Sequence, residues 1–119
     1  MKPLFVNYPK CTTCQKAKKW LEENNIDFES RHIVENNPTK EELKAWLTLS
    51  KQPIKKFFNT SGILYREMNL KEKVASESED NLLSLLATNG MLVKRPILVK
   101  DDVVLIGFKA ETWAEYFKK

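Results

Sequence analysis

Seven residues, Tyr8-Pro9-Lys10-Cys11-Thr12-Thr13-Cys14, constrain this chain more than any other stretch. They join the apolar run Leu4-Phe5-Val6 to a strongly helix-forming segment, Gln15 to Asn24. A strand that opens directly into a helix leaves unpaired N–H groups and the positive end of the helix dipole at the junction. Cys11 falls there, and the anion it offers to that field is its own thiolate. Such placement lowers a cysteine pKa from about 8.5 to between about 3.5 and 7.5. Lys10 and Lys16 add positive charge nearby. Cys14, three residues on, lies one turn later on the same face, within reach of Cys11 for a disulfide. The spacing predicts a redox or nucleophilic thiol site. Two other readings stay open: a pair of ordinary buried cysteines, and half of a zinc site. With two cysteines and one histidine, His32, in the whole chain, zinc needs a carboxylate or a second chain to complete its ligands. His32 falls in a partly buried strand and reads as structural rather than as a general base.

The 119 residues are enough for one domain with a core of its own, and 42% hydrophobic with 30% charged residues is the balance of a soluble globular protein. No apolar run approaches the roughly 18 residues of a membrane span. The N-terminus lacks the zones of a signal peptide, so a cytoplasmic location is expected. In that compartment a lasting structural disulfide is not expected, which turns the cysteine pair toward catalysis or sensing. The net charge of +4 is spread along the chain without a long basic run. Direct nucleic-acid binding is therefore not expected.

In chain order, Lys2 to Tyr8 reads as a strand. The following helix buries Cys14, Ala17 and Leu21 with Trp20 beside them, and ends at Asn24-Asn25. Ile26 to Ile33 reads as a second strand, completing a βαβ unit. Thr39-Lys40-Glu41-Glu42 has capping-box spacing ahead of a helix with Leu43, Trp46 and Leu47 inside. A short turn around Ile54, Phe57 and Phe58, a polar loop Asn59-Thr60-Ser61-Gly62, a helix from Tyr65 to Val74 and another through Leu86 follow, with Gly90 placed just past a helix end. Ile97–Lys100 and Val103–Ile106 read as a hairpin, and Ala110 to Lys119 as a helix burying Trp113, Ala114 and Phe117. This is an α/β, thioredoxin-like order (βαβ…ββα) with a mainly helical insert over about residues 38–90. In that plan the loop before the third strand faces the cysteines, and a cis proline there shapes the groove. Arg95-Pro96 occupies that loop, where Arg95 is placed to hold an oxyanion or a carboxylate in bidentate fashion.

The cysteine motif, Asn69-Leu70 and Gly90-Met91-Leu92-Val93-Lys94-Arg95-Pro96-Ile97 together resemble the ArsC family, over nearly the whole chain from Leu4 to Phe117. That family includes glutaredoxin-coupled arsenate reductases and Spx-type transcriptional regulators. For the reductases, the resemblance implies that Cys11 is the nucleophile toward arsenate and Arg95 one of three oxyanion-holding arginines. The second arginine falls at Asn59 and the third near Gly107-Phe108, with Lys109 or Arg66 as candidate substitutes. Each missing charge-assisted contact removes about 1.5–3 kcal/mol from anion binding, so efficient arsenate reduction is not expected. Cys14 stands where those reductases usually lack a cysteine. Spx-type regulators do carry Cys-x-x-Cys, as a disulfide switch, and bind the C-terminal domain of RNA polymerase α. Their contact loop has a glycine near the place of Lys51-Gln52-Pro53, and they extend past the last helix, two departures that weigh against the regulator reading.

The resulting expectation is a thiol oxidoreductase with Cys11 as attacking thiolate and Cys14 as resolving thiol. Arg95 would orient an anionic substrate or a glutathione-type carboxylate, Pro96 would shape the groove, and Thr12 and Thr13 would offer N–H groups to a bound oxyanion. Asn59 is a candidate in a polar substrate loop. No bound metal or flavin is expected, and electrons would come from an external thiol reductant of the glutathione, glutaredoxin or thioredoxin type. The alternative is an Spx-type redox-controlled partner of RNA polymerase α.

Overall fold

Alternation along the first strand, β1 (Leu4–Asn7), sends Phe5 into one buried cluster and Val6 into another, so the sheet is covered on both faces. A computed structural model describes residues 2–117. After β1 come α1 (Thr12–Glu23) and β2 (Glu29–His32), then a mainly helical segment. Its helices are α2 (Lys40–Ser50), α3 (Ile63–Glu67), α4 (Leu70–Ser76) and α5 (Glu79–Leu86), with 3₁₀ turns at Ile54–Phe57 and Gly90–Leu92. The chain returns as β3 (Ile97–Lys100), β4 (Val103–Ile106) and α6 (Ala110–Phe117). Sheet order is β2-β1-β3-β4, with β1 parallel to β2 and antiparallel to β3, and β3 antiparallel to β4. This is the thioredoxin-like βαβ…ββα order with its insert, as the sequence predicts.

On one face Phe5 and Leu98 pack with Ala17 and Leu21 of α1 and Trp113 of α6. On the other, Val6, Ile97 and Val104 meet Leu43, Trp46 and Leu47 of α2 and the leucines of α5. The helical segment is therefore one whole wall of the core.

Several boundaries differ from the sequence expectation, each for a local reason. Helix α1 begins at Thr12, three residues early, because Cys11 already takes an extended N-cap conformation. The second strand shrinks to Glu29–His32. The helix expected over Tyr65–Val74 breaks into α3 and α4 at Asn69, which sits in the left-handed region at φ 53°. Asn25, at φ 57°, ends α1 as expected. Ala114 is exposed rather than buried, since α6 turns Trp113 and the half-buried Phe117 inward instead. The expected last two residues of that helix lie outside the described residues. Gly90 does not follow a helix end. It opens a 3₁₀ turn and is buried against the backbone of Ile33, where a Cβ would collide with the Ile33 carbonyl. Close approach, not backbone freedom, demands glycine here.

The seam between β2 and α2 is polar. Arg31 reaches both oxygens of Glu42, at 2.6 and 2.8 Å, and its guanidinium also donates to the carbonyls of Asn36 and Asn37. Glu42 closes the predicted capping box by accepting from the Thr39 N–H at 2.9 Å, while its own N–H donates to Thr39 Oγ1 at 3.1 Å. Hydrogen bonding by Arg31 is the main force holding the Glu42 carboxyl down at about 2, against an ordinary 4.5. A carboxyl lowered on folding stabilises above its unfolded pKa and loses that contribution as pH falls through its folded one.

Two outcomes are expected. The Arg31–Glu42 contribution is complete above about pH 4.5 and lost toward pH 2. With Glu42 35% exposed, solvent screening leaves it at about 1–2 kcal/mol. Urea midpoints of Glu42→Gln and the parent should therefore diverge at neutral pH and converge in acid; a constant gap would show that the pair is not titrating. Gly90→Ala should cost about 1–3 kcal/mol by overpacking, read as a lowered urea midpoint with the same slope.

Candidate functional site

The register of β1 against β3 assembles the site. Val6 pairs with Ile97, and the same antiparallel count carried two residues on sets Tyr8 across from Arg95. The Arg95 guanidinium stacks over the Tyr8 ring, 5.2 Å from its centroid, and Arg95 Nη1 donates to the Met91 carbonyl at 3.3 Å. Tyr8 is held in turn by His32, edge-on at 5.7 Å. His32 Nδ1 accepts from the N–H groups of Val34 and Glu35, so the imidazole ties down the chain after β2. Arg95-Pro96 is a cis peptide, with Pro96 buried and its carbonyl accepting from Gly107 N–H at 2.8 Å.

Both cysteines are free thiols at the β1–α1 junction, and their surroundings are opposite. Cys11 is the N-cap of α1 and half-buried; its N–H donates to the Tyr8 carbonyl at 2.9 Å and its side chain makes no capping bond. Partial burial opposes its ionisation. That is outweighed by hydrogen bonds from the Cys14 N–H and thiol, and by the hydrogen bond and charge of Arg95, so the Cys11 pKa lies below the ordinary value. Cys14 is 2% exposed. Burial, reinforced by the neighbouring Cys11, pushes its thiol up to about 12, although the Tyr8 N–H reaches its sulfur at 3.5 Å. One sulfur is brought closer to its thiolate form, and the other is kept as thiol.

Beside Arg95 opens a cleft of about 570 Å³ between the start of α1, the end of α2 and the β4–α6 connection. Thr13, Lys56, Lys94, Arg95, Lys109 and Thr112 are among its walls. The sequence pattern does not reveal this gathering, because Lys56, Lys94 and Lys109 are far apart along the chain; only Lys109 carried a hint, from its place beside Gly107-Phe108. Tyr8 as a platform for Arg95 was equally hidden until strand register was known. Thr12 is the exposed first residue of α1. Asn59 does not line the cleft. Its N–H donates to the Leu92 carbonyl at 2.8 Å and its Oδ1 accepts from Ser61 at 3.4 Å, which makes it a loop brace next to the segment that leads to Arg95. Arg66, on α3, is exposed and also absent from the cleft walls. Among the described residues, no three His, Cys, Asp or Glu side chains gather as a metal site, and no helix is long and apolar enough to cross a membrane.

Comparison with known proteins bears on this geometry. The sequence model of the ArsC family matches residues 6–116. The Bacillus subtilis protein YusI is 54% identical, covering 93% of this chain and 94% of its own length. The global transcriptional regulator Spx 2 of Bacillus anthracis is 33% identical, covering 85% of this chain and 76% of its own. Among solved structures, an ArsC family related protein from Bacteroides fragilis superposes with a TM-score of 0.93 at 58% identity, over 97% of each chain. Arsenate reductase from Vibrio cholerae gives a TM-score of 0.86 at 26% identity, over 97% of each.

Replacing Arg95 by Met should raise the Cys11 pKa toward the ordinary value, and Tyr8→Leu should do so by less, because it frees the guanidinium without removing it. Thiolate absorbance followed across pH reads both. An unmoved pKa in Arg95→Met would assign the lowering to the Cys14 N–H and thiol instead.

Proposed function

The chain belongs to the ArsC family, and from that membership we propose that it is a cytoplasmic thiol-dependent oxidoreductase working through a Cys11–Cys14 disulfide. The observation that carries this reading is the opposite poise of the two sulfurs: a lowered pKa at Cys11 beside Arg95, and a thiol pushed to about 12 at buried Cys14. Cys11 thiolate attacks one sulfur of a substrate disulfide, forming a mixed disulfide and expelling the other half as thiolate. Capping Cys11 removes its negative charge, one of the causes that hold Cys14 protonated. Cys14 then loses its proton and attacks Cys11 Sγ, releasing the second substrate thiol and leaving the Cys11–Cys14 disulfide. Two electrons have passed from the dithiol to the substrate, and an external thiol reductant of the glutathione, glutaredoxin or thioredoxin type returns them. Arg95 orients an anionic group, Pro96 shapes the groove, and the N–H groups of Thr12 and Thr13 face an oxyanion at the helix start. Asn59 and Arg66 lie away from the cleft and Gly107 and Phe108 in its wall carry no charge, so arsenate lacks two of the family's three arginine contacts, with Lys109 in the same wall as the one candidate substitute in place.

A second reading follows from the Spx 2 relative: a redox-controlled regulator that binds RNA polymerase α. In its favour, Lys51 at the end of α2 holds φ 58°, a backbone that favours glycine, on an exposed turn through Gln52 and Pro53. Failure to bind the α C-terminal domain in either redox state would remove it.

Cys11→Ser should reduce disulfide turnover to background. Cys14→Ser should release one equivalent of thiol and then stall, with the mixed disulfide on Cys11 visible by mass spectrometry. Full turnover in both variants would overturn the oxidoreductase reading.

A further inference from the structure

The cleft next to Arg95 is larger and more positive than a single small oxyanion requires. Its volume of about 570 Å³ lies in the range that encloses a whole small organic molecule, roughly 300–1,000 Å³. Four of its wall residues are cations: Lys56 before the end of the 3₁₀ turn, Lys94 and Arg95 ahead of β3, and Lys109 ahead of α6. No carboxylate lines it, and none of the four takes part in a salt bridge among the described residues. Thr13 and Thr112 add hydroxyl groups. Cations left unneutralised around a concave space form a field that gathers anions. Cys11 is not itself a wall of this space; the two are linked through Arg95, which lines the cleft and whose charge lowers the Cys11 pKa.

We propose that the substrate is a low-molecular-weight disulfide carrying two or more anionic groups (carboxylate, sulfonate or phosphate), its reactive sulfur at Cys11 and its charged body in the Lys56–Lys94–Lys109 cleft. This rests on the oxidoreductase reading and adds the substrate class to it. Arg95 anchors the anion closest to the sulfur. The three lysines, each a compact charge on a flexible stem, hold the charges farther out. The chemistry is the exchange described above: the substrate S–S bond breaks, the Cys11–Cys14 bond forms, and both substrate halves leave as thiols.

The test uses the full chain with dithiothreitol as reductant and two probes, the dianionic 3,3′-dithiodipropionate and the neutral bis(2-hydroxyethyl) disulfide. The parent is compared with a Lys56→Gln, Lys94→Gln, Lys109→Gln variant. The anionic-to-neutral ratio of kcat/KM should fall about 10-fold or more in the variant, in keeping with what one-signed clefts contribute to substrate capture. In the parent the same ratio should fall as salt is raised. Using the ratio cancels changes in the Cys11 thiolate population. A parallel readout that needs no turnover is the rate of Cys11 alkylation by iodoacetate relative to iodoacetamide, which should fall in the same way. Turnover of both disulfides with a ratio unmoved by salt or by the lysine changes overturns the substrate class and leaves the oxidoreductase reading standing. Absence of turnover with either disulfide overturns both, whatever the alkylation ratio shows about anions. If the triple variant fails to fold, the salt dependence of the parent decides alone.

Discussion

Everything at the site depends on the antiparallel pairing of β1 with β3. Side chains alternate with period two along a strand, so a slip of one residue would send Phe5 and Val6 to the wrong faces and carry Arg95 off the Tyr8 ring. The register that buries the core is thus the same one that delivers a positive charge to Cys11. Between the two strands lies the whole helical segment, and its wall of leucines and aromatics against Val6, Ile97 and Val104 is what makes the long return favourable. Packing, rather than local preference, holds Arg95 in place.

The two thiols show how little sequence distance is needed to reverse chemistry. Three residues separate them, yet one sits at the open mouth of a helix and the other under it. The N-cap leaves Cys11 to gather donors, while the first turn of α1 rotates Cys14 inward toward the Tyr8 backbone. Two cysteines placed this way need no metal to differ from one another. Geometry alone sets their pKa values apart.

Much of this was legible in the residues themselves. The strand-to-helix junction, the capping box at Thr39 and the cysteine helix face are local patterns, and local patterns survive folding when the core agrees with them. Arg95-Pro96 was legible as a loop opposite the thiols because the element order brought it there. What could not be read were juxtapositions that exist only in three dimensions: Tyr8 beneath Arg95, and three lysines from separate connections around one cleft. A lysine on a surface helix or loop looks like solubility until its neighbours are known. Gly90 was misread for the related reason that its need for glycine comes from Ile33, far away in the chain.

The burial of Cys14 also bears on its chemical wear. Burial that pushes a thiol up to about 12 leaves very little thiolate near neutrality, and peroxides consume thiolates. While α1 stays seated on the sheet, the Cys14 sulfur is sheltered from the irreversible sulfinic and sulfonic acids that end a cysteine's service. Lifting the first turn of that helix returns it to an ordinary, oxidisable state. Protection of Cys14 thus rests on the packing of Ala17 and Leu21 against Phe5 and Trp113, the contacts that keep α1 seated.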